Sequence, residues 1–107
     1  MGCLGIMATK TLTTMTIEEV KPIIDVQMSD EFDSHDFIKE YIWQYPKSYG
    51  ELLCKYENVR TAHSQIGKFL LQNAEELGIE KNGENGSDDI FGHPTPCAKW
   101  KKLSKLL

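Results

Sequence analysis

Apolar residues recur along the chain at the 3.6-residue helical period in two strong places. Phe37, Ile38, Tyr41, Ile42 and Tyr45 fall on one face of a helix that Asp33 or Ser34 can cap, and Ile66, Phe69, Leu70, Asn73 and Leu77 line the inner face of a longer one. Between them, Pro46 ends or bends the first helix, and Tyr49, Leu52, Leu53 and Tyr56 continue a second apolar stripe down to Asn58. Val59 to Ala62 reads as a short polar break, the long helix then runs to Gly78, and Gly78 is its natural stop. Nearer the start, Thr16-Ile17-Glu18-Glu19 has capping-box spacing, but Pro22 limits any helix there to about one turn or leaves the segment extended.

After Gly78 the pattern changes. Ile79 to Lys81, then the turn-rich Asn82-Gly83-Glu84-Asn85-Gly86, predict a hairpin or wing, with Ile90-Phe91 as a returning strand or anchor. His93 to Pro96 reads as stiff loop, and Cys97 to Lys102 alternates well enough for a closing strand. The expectation is an α+β, winged-helix-like domain of about three core helices and a two- or three-stranded β-ribbon. It spans residues 16–107, after a disordered leader at 1–15.

Helix, helix, short turn, longer helix and a hairpin ending on a Trp is the order of a winged helix-turn-helix. The segment Thr61-Ala62-His63-Ser64-Gln65-Ile66-Gly67-Lys68-Phe69-Leu70, with Leu77-Gly78-Ile79 and Cys97-Ala98-Lys99-Trp100 after it, resembles the small DNA-binding domains of phage and plasmid replication proteins. The resemblance covers residues 34–103 and implies a non-catalytic, cytoplasmic protein that contacts double-stranded DNA with helix 60–77 in the major groove. Wings of that kind usually carry Lys or Arg, whereas this one carries Glu84, Asp88 and Asp89.

Placed on a helix, Thr61, Ser64, Lys68 and Gln72 share the face opposite the core, with Gln65 beside them. Ser and Gln can hydrogen-bond base edges, while Arg60 and Lys68 can neutralise phosphates. Lys99, Lys101 and Lys102 of the closing strand would add backbone contacts. His63 points toward the buried flank and is expected to cap or edge the core, and Gly67 signals close helix packing.

Charge qualifies that picture. The 107 residues carry a net −4; residues 1–54 hold four Lys against nine Asp or Glu, and residues 55–107 hold eight Lys or Arg against seven acids. A basic surface is therefore confined to the second half. The acidic bias, the outward Leu71, and Trp43 opposite the apolar stripe of its helix support a different expectation: a protein-interaction module, with Trp43 and Leu71 as anchors for a partner or a homodimer.

Other chemistries fit less well. Three cysteines without a paired spacing predict free thiols, packed as small core residues, in a reducing compartment. His93 and Cys97, with Cys54, His63 or His35, could be assembled into a zinc set only without the tight ligand pairs such sites use, so no metal and no cofactor are expected. Cys54 with His63 lacks an orienting third group for nucleophilic catalysis, and Asp88, Asp89 and Lys99 lack the intermediate acid of a nuclease site. The acidic run Asp30, Glu31, Asp33, Asp36 lacks calcium-loop order. Gly2 is followed by Ile6 where myristoylation wants Ser or Thr, and no stretch is apolar for the length of a membrane span.

Overall fold

The computed structural model describes residues 15–103; the leader expected at 1–15 lies outside them apart from Met15, whose side chain is buried in the core. The architecture is α+β: five helices and a three-stranded antiparallel sheet in the order β1-β3-β2, an arrangement consistent with a winged-helix-like domain.

Thr16 Oγ1 accepts from the Glu19 amide and starts α1 (Ile17–Pro22). Pro22 cannot donate to the carbonyl one turn back, and the chain continues as a wider π turn, Ile23–Gln27, closed by Met28 N–H on the Ile23 carbonyl. Strand β1 (Glu31–Asp33) leads into α2 (Ser34–Gln44) through a reciprocal capping box. Asp33 Oδ1 accepts from the Asp36 amide at 2.9 Å, and the Asp33 amide donates to Asp36 Oδ2 at 3.1 Å. Phe37, Ile38 and Tyr41 bury the face that periodicity assigned them.

Helix α3 (Pro46–Tyr56) begins with proline in its first turn, where a missing amide costs nothing, and Glu57 ends it in the left-handed region at φ 56°. The break before the next helix is thus Glu57-Asn58, earlier than Val59–Ala62: Asn58 Oδ1 accepts from the Thr61 amide at 3.0 Å and α4 (Val59–Gln72) starts at once. Nor does that helix run unbroken to Gly78. Asn73 leaves helical geometry at φ −111°, ψ 18°, its side-chain amide joining its own backbone N–H on the Phe69 carbonyl, and a single further turn, α5 (Ala74–Leu77), ends at Gly78 with φ 74°.

Strand β2 (Ile79–Asp88) runs straight through the segment expected to turn, and β3 (Pro94–Lys102) returns along it. Lys81 opposes Trp100 and Glu84 opposes Ala98, so Asn82 and Gly83 together face Lys99: the glycine-rich stretch is a β-bulge, with Gly83 at φ 91°. The turn itself is Asp89–His93. There Asp89 Oδ1 accepts from the amides of Phe91 and His93 at 2.9 and 3.0 Å, and the Asp89 amide donates to the His93 carbonyl. His93 to Pro96, expected as loop, therefore closes the turn and opens the strand.

The core lies between sheet and helices, with Val20, Ile24, Phe37, Tyr41, Ile66, Leu70, Leu77 and Ile79 fully enclosed around Trp100. Among the described residues, no helix is long and apolar enough to cross a membrane.

Candidate functional site: the groove between α4 and the wing

Three consecutive residues at the β1–α2 junction decide where the β2–β3 wing stands. Asp33, Ser34 and His35 are buried polar residues, and each reaches the wing. Asp33 Oδ2 accepts from Asn85 Nδ2 at 3.0 Å. Ser34 Oγ accepts from the Trp100 indole N–H at 2.9 Å. His35, 8% exposed, holds the Ser87 hydroxyl at 2.8 Å through Nδ1 and the Thr95 hydroxyl at 3.2 Å through Nε2, one from each wing strand. Burial works to raise the Asp33 carboxyl, but hydrogen bonds from the Asp36 amide, Ser87 and Asn85, and the nearby His35, outweigh it and hold the group below its ordinary value.

Held at that angle, the wing and α4 enclose an open groove of about 850 Å³. Arg60, His63, Ser64, Gly67, Lys68 and Leu71 form its helical wall. Lys81, Asp89, Phe91, His93, Thr95 and Cys97 form the wing wall, and Ser34, His35, Ile38 and Trp100 lie at its base. All three histidines of the chain line it. His63 Nε2 meets the Tyr49 hydroxyl at 2.7 Å. Burial, then the neighbouring His35, lowers the His63 pKa below its ordinary value, and Asp89 only partly opposes them. Burial likewise raises the Tyr49 phenol. His63, whose surroundings disfavour the charged form, is a half-buried partner of Tyr49 on α3, at the flank its position implied, and it also lines the groove.

Of the residues singled out as a DNA-contacting face, the groove gathers Arg60, Ser64 and Lys68, and adds Lys81, which sequence did not single out. Lys81 lies 3.7 Å from Glu84 in an exposed ion pair; Arg60 and Lys68 make no ion pair among the described residues. Thr61 is exposed at the start of α4, outside the groove. Gln65 and Gln72 lie around the helix, beside a smaller depression of about 190 Å³ against α3 that Lys68 also borders.

Lys99, Lys101 and Lys102 do not join the groove. In the sheet register Lys101 sits directly between Glu31 of β1 and Glu80 of β2, and Lys99 opposes Asp33. Lys102 Nζ lies 3.4 Å from the Asp25 carbonyl. Acids thus stand opposite Lys99 and Lys101 in the sheet register, which tempers the densest basic stretch of the sequence, although no ion pair joins them among the described residues.

The two proposed partner anchors part company. Trp43 is 81% exposed on the outer side of α2, whereas Leu71, 54% exposed, looks into the groove across from Phe91, 60% exposed at the wing tip. Phe91 and His93 stand 6.4 Å apart between ring centroids. Asp89 is the brace of the turn: the His93 amide, with the Phe91 amide and the nearby His93 and His35 rings, outweighs burial and holds its carboxyl below the ordinary value.

Donor atoms of Asp33, His35 and Cys97 lie within 4.8 Å of one another, a grouping from two chain segments that spacing could not reveal. The Ser87 hydroxyl bonds His35 and stands 3.8 Å from the free Cys97 thiol, linking two members of the cluster. Cys54, expected as a free core thiol, is half-buried on α3 and disulfide-bonded. No protein family, no curated protein and no solved structure matches the chain.

Proposed function

We propose that the protein is a non-catalytic nucleic-acid-binding module, DNA being the expected target, and that the groove between α4 and the wing is its contact surface. The observation that carries this reading is the convergence of Arg60, Lys68 and Lys81 on one open groove in a chain whose net charge is −4. Asp89 lies in the same groove and Lys81 is paired with Glu84, which leaves Arg60 and Lys68 as its cations without an ion pair among the described residues. Anions are drawn to where positive potential concentrates, and a concave site focuses it. Ser64 offers a hydroxyl to phosphate or base between the two α4 cations. The likeness of Thr61 to Leu70 and of the wing's Trp100 to replication proteins of phages and plasmids adds support, and it suits a cytoplasmic module of a mobile-element system.

A second reading, a protein-interaction module, draws on the exposed Leu71, Phe91 and Trp43. It would make the groove a seat for a peptide. Fluorescence anisotropy with labelled DNA at low salt separates the two. The nucleic-acid reading expects binding that weakens as salt rises and is lost when Arg60→Ala and Lys68→Ala are combined; no measurable affinity would favour the protein partner.

A further inference from the structure

The groove holds too little charge, and too much apolar surface, for the outside of a duplex. Proteins that grip duplex DNA by its backbone commonly neutralise roughly six to ten phosphates. Here the cations that reach the groove are Arg60, Lys68 and Lys81, and Lys81 is shared with Glu84. One carboxylate, Asp89, lies within the groove, and past the rim the surface turns acidic, with Glu57 where α3 ends and Glu80, Glu84 and Asp88 along the outer wing, all four exposed. A second strand held alongside the first would meet those carboxylates.

The walls carry apolar groups that a duplex has little use for. Leu71 stands on the helical wall, and Phe91 with His93 stands on the wing tip, fixed by the Asp89 turn without being buried. Stacked bases hide their faces inside a double helix, whereas unpaired bases expose them. Grooves that combine a few cations with unburied aromatic rings take single strands, because every base has a face to stack.

Resting on the nucleic-acid reading above, we infer that the groove binds a single nucleic-acid strand. Its phosphates run past Arg60 and Lys68, and its bases stack against Phe91 and His93 and pack on Leu71, in place of a helix lodged in the major groove.

The test uses the full chain and a fluorescein-labelled DNA strand of about 12 nucleotides, a length within the roughly 4–16 nucleotides that single-strand folds cover, alongside the same strand in a duplex. The single strand binds about tenfold or more tighter than the duplex. Its logarithmic salt slope is near −1.4, as the two phosphate contacts at Arg60 and Lys68 require at about 0.7 each. Phe91→Ala, a substitution at an exposed tip whose thermal unfolding is measured in parallel, weakens the single strand about tenfold, and Phe91→Tyr restores most of the affinity. Duplex binding equal to or tighter than single-strand binding, with Phe91→Ala silent, overturns this inference and leaves the nucleic-acid reading standing. Failure of both DNAs to bind overturns both and points to a peptide as occupant.

Discussion

Replacing His35 by Leu tests whether the wing is positioned by the buried polar junction. The imidazole is 8% exposed and bonds Ser87 at 2.8 Å and Thr95 at 3.2 Å. Leucine fills much of the same space but answers neither hydroxyl. A hydrogen bond contributes about 1 kcal/mol net, and a buried group left unsatisfied costs about 1–3 kcal/mol. Ser87 keeps other neighbours in Asp33 and Cys97, so Thr95 bears most of the loss. The sum is a destabilisation of about 2 kcal/mol, a fraction of the roughly 5–15 kcal/mol a domain commonly has, so the variant stays folded.

At this chain length that corresponds to a fall in Tm of roughly 8–16 °C, or a urea midpoint lower by about 1 M. Trp100, 1% exposed, reports unfolding by its fluorescence once the exposed Trp43 is replaced by Phe. Hydrogen exchange should quicken in β2 and β3 while the α4 amides stay protected. A change below about 0.5 kcal/mol, or faster exchange spread evenly over the chain, would refute the reasoning.

Ile66→Ala, at a fully enclosed site on α4, should cost about 2–5 kcal/mol in denaturant unfolding; a loss under 1 kcal/mol would mean that α4 does not anchor the core as described. His63 has a folded-state pKa below its unfolded value near 6.5, so its contribution is fully present above about pH 6.5. As pH falls below that, the unfolded chain binds the proton first and stability declines. A His63→Gln variant should lose this part of the pH dependence when unfolding is followed between about pH 7.5 and 5. Lys101→Ala should leave DNA affinity within about twofold, because Glu31 and Glu80 already flank that lysine; a tenfold loss by anisotropy would restore β3 to the binding surface.

The helical half of the fold was written locally. Asp33 with Asp36 spells a capping box, and Phe37, Ile38 and Tyr41 spell a buried face, within spans of a few residues. Asn82 to Gly86 misled because glycine and asparagine serve a bulge as well as a turn, and only pairing with β3 selects between them. The same dependence on register concealed the acids that stand opposite Lys99 and Lys101. Of the site, Arg60, Ser64 and Lys68 were legible because they share a helix face, whereas the wall opposite them was not. Asp33, Ser34 and His35 find their wing partners 52 to 66 residues away, so sequence showed a cap where folding makes a hinge post for the wing. The Ile90-Phe91 pair suits a strand or an anchor, and the Asp89 carboxylate, accepting from the Phe91 and His93 amides, selects the turn.

The central claim is that the α4–wing groove binds nucleic acid through its own cations. Anisotropy titration of labelled single-stranded and duplex DNA with the wild type and the Arg60→Ala, Lys68→Ala double variant addresses it most directly, at low ionic strength with unfolding curves run alongside. The expected result is salt-sensitive binding by the wild type and a loss of at least about tenfold in a double variant that unfolds like the parent. Unchanged affinity in the double variant, or none in the wild type, would contradict it.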